Sequence, residues 1–163
     1  MTSFFTTCID DFFATGFASR NDIRFDFAFL DGLHHFEVLL RDFINTEKLM
    51  APGGVIALHD CCPSSVEMTV RDQISGAWTG DVWKTLLILL RHRPDLEIRV
   101  AKAAPTGLVV IRGADPSSIV LTDAYEDLVA EYERLQLEEL PGGLAGYYSE
   151  FKLEVPEEVI ADL

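Results

Sequence analysis

Two short apolar runs, each ending in an aspartate and separated by one amphipathic stretch, constrain this chain more than any other feature. Residues 25–31 read FDFAFLD and residues 53–60 read GGVIALHD, the second after a Pro-Gly-Gly break. Runs this short and this apolar predict strands buried on both faces, as in a parallel sheet. Between them Phe36, Leu39, Leu40, Phe43 and Ile44 recur at helical spacing, while Glu37, Arg41, Asp42 and Asn45 take the other side. Strand, helix, strand is a right-handed crossover unit, so the predicted class is α/β.

Residues 81–93, DVWKTLLILLRHR, place Val82, Leu86, Leu89 and Leu90 at helical spacing ahead of Pro94. LEIRVA (96–101) and GLVVIRG (107–113) follow across a short connection and predict an antiparallel hairpin. From Leu121 onwards Tyr125, Leu128, Val129, Tyr132 and Leu135 form one helical stripe, a packing face expected to run to near Pro141-Gly142-Gly143. The last twenty residues mix Tyr147, Tyr148, Phe151, Leu153 and Val155 with acids, and their pattern is ambiguous. The expected division is a sheet-bearing part, 1–113, and an acidic helix and tail, 114–163, packing on the same domain. A chain of 163 residues with 48% hydrophobic content suffices for one core.

Thirteen basic residues stand against 27 acidic ones, a net charge of −14 that would repel nucleic acid and an anionic membrane surface. Residues 114–163 hold 13 acids and 2 bases, so the acidity reads as a solvated face of the tail. The longest apolar run, LLILL at 86–90, is far short of the roughly 20 residues that span a bilayer. MTSFFTTC at the start shows no export pattern, and Cys8, Cys61 and Cys62 make no disulfide framework. These features together predict a cytoplasmic protein with neither nucleic acid nor a membrane as its partner.

Asp31 and Asp60 end strands that should be neighbours, roughly 4.8 Å apart, so their carboxylates converge at one edge of the sheet. Two such oxygens suit a hard cation such as Mg²⁺. The alternative is that each acid caps the following helix or binds a backbone amide. Cys61 and Cys62 read as small buried residues, since nothing nearby in sequence would lower a thiol pKa.

Four blocks in order, FDFAFLDGLHHFEVLLRDF, LMAPGGVIALHDCCP, WTGDVWKTLLILLRHRPDLEIRV and TGLVVIRG, resemble the second half of a class I S-adenosylmethionine-dependent methyltransferase. The pairing of DGxHxxE (Asp31, Gly32, His34, Glu37) with PGGxxxxHD (Pro52, Gly53, Gly54, His59, Asp60) carries the resemblance. It implies a sheet of order 3-2-1-4-5-7-6 in which Phe25–Asp31 is strand 4 and Val55–Asp60 strand 5. The chain would then hold a partial Rossmann-like sheet, the 4-5-7-6 equivalents, with the cofactor-binding strands and their glycine-rich turn expected upstream of Met1. GGLAG at 142–146 follows no strand and is no substitute for that turn.

Similarity to metal-dependent sugar and small-molecule O-methyltransferases implies Asp31 and Asp60 as Mg²⁺ ligands and His34 as the catalytic base. IDDFF at 9–13 is similar to the turn before the family's fourth strand, which implies Asp10 or Asp11 beside the adenine. In such enzymes a further acid or amide commonly follows the second aspartate, where this chain has Cys61. Glu37 is expected to orient His34 or face solvent, His35 and His59 to pack or support the site, and Trp83 with Lys84 to cover it or join the core. On its own the chain is expected to bind S-adenosylmethionine weakly or not at all. Two functions follow: O-methyl transfer to a small molecule or sugar, or a non-catalytic methyltransferase-fold remnant acting in assembly. Without strands 1 and 2, the strand at Phe25–Asp31 becomes an edge. A homodimer or other homo-oligomer is then expected, with Phe4–Thr6 as a partial cover.

Overall fold

The computed structural model describes residues 12, 13, 15, 16 and 22–161. Asp10, Asp11 and the Phe4–Thr6 segment lie outside the described residues. Strand β1 (Phe25–Leu30), helix α1 (Phe36–Glu47) and strand β2 (Met50–His59) form the crossover unit, with β1 parallel to β2 from Phe27↔Val55 to Leu30↔Leu58. Helix α2 (Trp83–His92) leads into the hairpin of β3 (Glu97–Ala101) and β4 (Leu108–Arg112). Helix α3 (Val120–Tyr132), helix α4 (Gly143–Ser149), strand β5 (Leu153–Glu154) and helix α5 (Pro156–Ala161) complete the described chain. The sheet order is β1-β2-β4-β3-β5, with β4 antiparallel to both its neighbours. The first four strands thus reproduce the 4-5-7-6 order, and the α/β, partial Rossmann-like class is confirmed.

The core explains why β2 is apolar throughout. Ile56 and Leu58 face Phe36, Leu40 and Phe43 of α1 and Leu86 and Leu89 of α2, while Val55 packs on the opposite face with Ala101, Val110 and Val159. Burial on both faces holds for β2 and fails for β1. Phe27 is 58% and Phe29 50% exposed, because β1 is an edge strand among the described residues. Pro52-Gly53-Gly54 does not open β2. It bulges the strand, so that Phe25 pairs with Met50 and Phe27 already with Val55.

One expectation for the C-terminal third is corrected. The helical stripe stops at Tyr132 and does not reach Pro141, because the buried Lys84 ammonium donates to the Glu133 carbonyl at 3.2 Å. Gln136 and Glu139 then start a separate 3₁₀ turn through a reciprocal capping box. The tail, ambiguous in sequence, is packed against the rest of the domain. Tyr147 is fully buried, its hydroxyl donates to the Cys61 carbonyl at 2.7 Å, and β5 adds to β3 as a parallel strand. Among the described residues no helix is long and apolar enough to cross a membrane.

Candidate active site

The parallel pairing of β1 and β2 decides which side chains meet. Leu30 registers with Leu58, so one further step sets Asp31 beside His59, and Asp60 lies one residue beyond. Asp60 has φ +61, a left-handed conformation that an aspartate tolerates better than most residues and that turns the chain sharply at the strand end. Its Oδ1 accepts a hydrogen bond from the Thr106 hydroxyl in the β3–β4 hairpin loop. That bond leaves Oδ2 aimed at the histidines.

His34 Nε2 lies 3.1 Å from Asp60 Oδ2 and 3.7 Å from Asp31 Oδ1. Asp31, His34 and Asp60 each offer one ligand atom, all within 4.8 Å of one another. His59 Nδ1 lies 3.3 Å from the same two oxygens, is buried, and has no hydrogen-bond partner among the described residues. The structure therefore brings His34, Asp31 and Asp60 together, and adds His59 in direct contact with both carboxylates.

The imidazole of His34 is held from behind. Its Nδ1 sits 3.1 Å from the Trp78 carbonyl oxygen and its ring stacks on the Trp78 indole at 4.8 Å. A carbonyl only accepts, so this contact calls for a proton on Nδ1, and Nε2 is the ring atom turned to the carboxylates. The backbone of His34 is fixed as well, its carbonyl accepting from Asp81 N at 3.3 Å. Gly80 makes that approach possible, because it has φ +57 and a Cβ there would stand 1.9 Å from the His34 oxygen.

Glu37 neither orients His34 nor points freely into solvent. Arg71 grips it with two bonds, 2.5 Å and 3.1 Å, and reaches Asp81 at 2.6 Å. Burial pushes the Glu37 carboxyl up, but the Arg71 hydrogen bonds and charge outweigh it and hold the group below its usual range. Trp83 and Lys84 do not cover the site. Both are buried, and the Lys84 ammonium is 3.0 Å from Asp81.

Cys61 and Cys62 are buried, as expected. Burial, with Cys62 and Asp60 adding to it, pushes the Cys61 thiol well up, and burial raises Cys62 to about 12. Neither is a nucleophile near neutral pH. A cavity of about 260 Å³ lined by Cys62, Lys102, Pro105, Tyr148 and Leu153 lies nearby, but none of the four clustered side chains lines it. GGLAG opens α4, where Gly146 packs on the Pro141 carbonyl, so it makes no cofactor turn. Among the described residues no glycine-rich turn follows a strand.

Sequence reasoning missed Trp78, Asp81, Arg71 and Thr106. One local signal was available. The helix after DGLH has His35 at its N-cap, with no side-chain cap of its own, which asks for a partner from elsewhere. Asp81 Oδ1 is that partner, accepting from Phe36 N at 2.9 Å.

No curated protein and no solved structure matches the chain. Residues 2–61 match a family model described as a methyltransferase domain, a span that contains β1, α1, β2 and all four clustered side chains. Over that span the chain is similar to a methyltransferase domain, and the strand order that carries the cluster is consistent with the likeness.

Proposed function

We propose that this chain forms the acceptor side of an O-methyltransferase that uses S-adenosylmethionine and acts on a hydroxyl of a small molecule or sugar. The observation that carries the reading is the convergence of His34 Nε2 on Asp60 and Asp31 at the ends of two parallel strands. Ligands of open parallel sheets bind outside the carboxyl ends of the strands, which is where these groups lie. His34, with Nδ1 committed to Trp78, accepts the acceptor's hydroxyl proton at Nε2. The carboxylate oxygens of Asp31 and Asp60, which stand within 4.8 Å of one another, fit a divalent cation such as Mg²⁺. Such a cation, when bound, lowers the pKa of a coordinated hydroxyl and orients it.

The test is methyl transfer from isotopically labelled S-adenosylmethionine to a panel of sugars and phenols, with divalent metal present. Transfer by the native chain at S-adenosylmethionine concentrations high enough to offset weak donor binding, lowered about 10²–10⁴-fold in kcat by His34→Gln, is the expected result. Absence of transfer to every acceptor by a chain shown to be folded would overturn it.

A second reading rests on a different observation, the exposed Phe27 and Phe29 beside the open edge of β1. We propose that a second copy of the chain covers this edge. A two-fold axis would run the two β1 strands antiparallel and close the edge on itself. This assembly is compatible with catalysis, and would be the chain's remaining role without it.

A further inference from the structure

We infer that His59 is the third protein ligand of the cation site, through Nδ1, and that its imidazole turns the site from Mg²⁺ towards divalent ions of the zinc, cobalt and iron kind. The inference rests on the reading of Asp31 and Asp60 as cation ligands. Register supplies the first argument, since the β1–β2 pairing sets His59 beside Asp31 and covalently next to Asp60. Distance supplies the second. Bonds of about 2.1 Å put neighbouring ligand atoms about 3.0–3.4 Å apart in octahedral or tetrahedral geometry. His59 Nδ1 is 3.3 Å from Asp31 Oδ1 and 3.3 Å from Asp60 Oδ2.

Burial supplies the third argument. His59 Nδ1 is shielded, and it meets the two carboxylate oxygens at 3.3 Å without a well-aligned hydrogen bond, an arrangement that a cation among the three would complete. The Phe29 ring, 6.0 Å from the imidazole, packs beside it. Cys61, covalently next to Asp60, is turned away. Its Sγ lies 3.4 Å from the His59 carbonyl and 3.8 Å from the Val82 carbonyl. His34 is less evenly placed, nearer Asp60 than Asp31, and stays the base. A set of two carboxylates and one imidazole favours borderline ions, whereas Mg²⁺ prefers oxygen alone.

The experiment is titration of the metal-free full chain with Co²⁺, read by its visible d–d absorption, followed by competition with Zn²⁺ and with Mg²⁺. The expected result is Co²⁺ binding at least about tenfold tighter than Mg²⁺, with displacement by Zn²⁺. His59→Ala should weaken Co²⁺ about tenfold or more, and His34→Ala should leave it within about threefold. Circular dichroism checks that each variant folds, and His59→Gln replaces His59→Ala if the latter does not. Undiminished Co²⁺ affinity in the folded His59 variant, or Mg²⁺ competing as well as Zn²⁺, overturns the inference and leaves the aspartate pair standing. Failure of the native chain to bind any of the three ions overturns both.

Discussion

At His34 a backbone constraint and a side-chain constraint act together. Gly80 meets the His34 carbonyl where no Cβ fits, and its φ of +57 disfavours any other residue. Gly80→Ala is therefore predicted to cost about 2–4 kcal/mol, read as a drop in thermal midpoint, combining left-handed strain with a backbone clash. Gly53 is the control. It has φ +80 but open space around it, so Gly53→Ala should cost only about 1 kcal/mol. Equal losses in the two variants would show that the Gly80–His34 contact does not matter. Asp31 and Asp60 were legible in the sequence because each ends a short apolar run, and His34 because it stands in the DGxH motif that carries the family resemblance. Trp78 and Thr106 were not, because each reaches the site from a loop 40 or more residues away in sequence, where no periodicity announces it.

At the scale of elements, helix α1 is tied to the start of α2 by one buried carboxylate. Asp81 Oδ1 accepts from Phe36 N, while its Oδ2 accepts from Arg71 and from the buried Lys84. Removing it leaves the helix start unbonded and an ammonium stranded in the core. Asp81→Ala is predicted to destabilise by about 3–5 kcal/mol in chemical denaturation; a loss under about 1 kcal/mol would contradict this account of the cap. Glu37 gives the pH dependence. Its carboxyl is held below the ordinary value of 4.5, so its contribution is complete above that pH and is lost as pH falls through the lower folded value. Glu37→Gln should accordingly flatten the fall in thermal midpoint below about pH 4.5, and an unchanged acid limb would count against the Arg71 clamp. The helices themselves were readable from spacing, and α3 was overrun only because its stop is a tertiary contact from Lys84, invisible in the local pattern.

For the whole molecule, the strand order followed from the sequence, whereas the packing of the C-terminal third did not. Tyr147 stands among acids and glycines that give no amphipathic period, yet it fills the space beside Trp83, with ring centroids 5.5 Å apart. The exposed face of β1 carries the assembly prediction. Light scattering after size exclusion at about ten micromolar should give twice the 18.2 kDa monomer mass, and Phe27→Glu with Phe29→Glu should return the monomer. A native species at the monomer mass would contradict it. The central claim is that the sheet brings Asp31 and Asp60 together around a divalent cation, and crystals soaked in Mn²⁺ test it most directly. An anomalous difference peak bonded to Asp31 Oδ1 and Asp60 Oδ2, absent in Asp60→Asn, is the result the account predicts. A peak elsewhere, or one that survives Asp60→Asn unchanged, would contradict it.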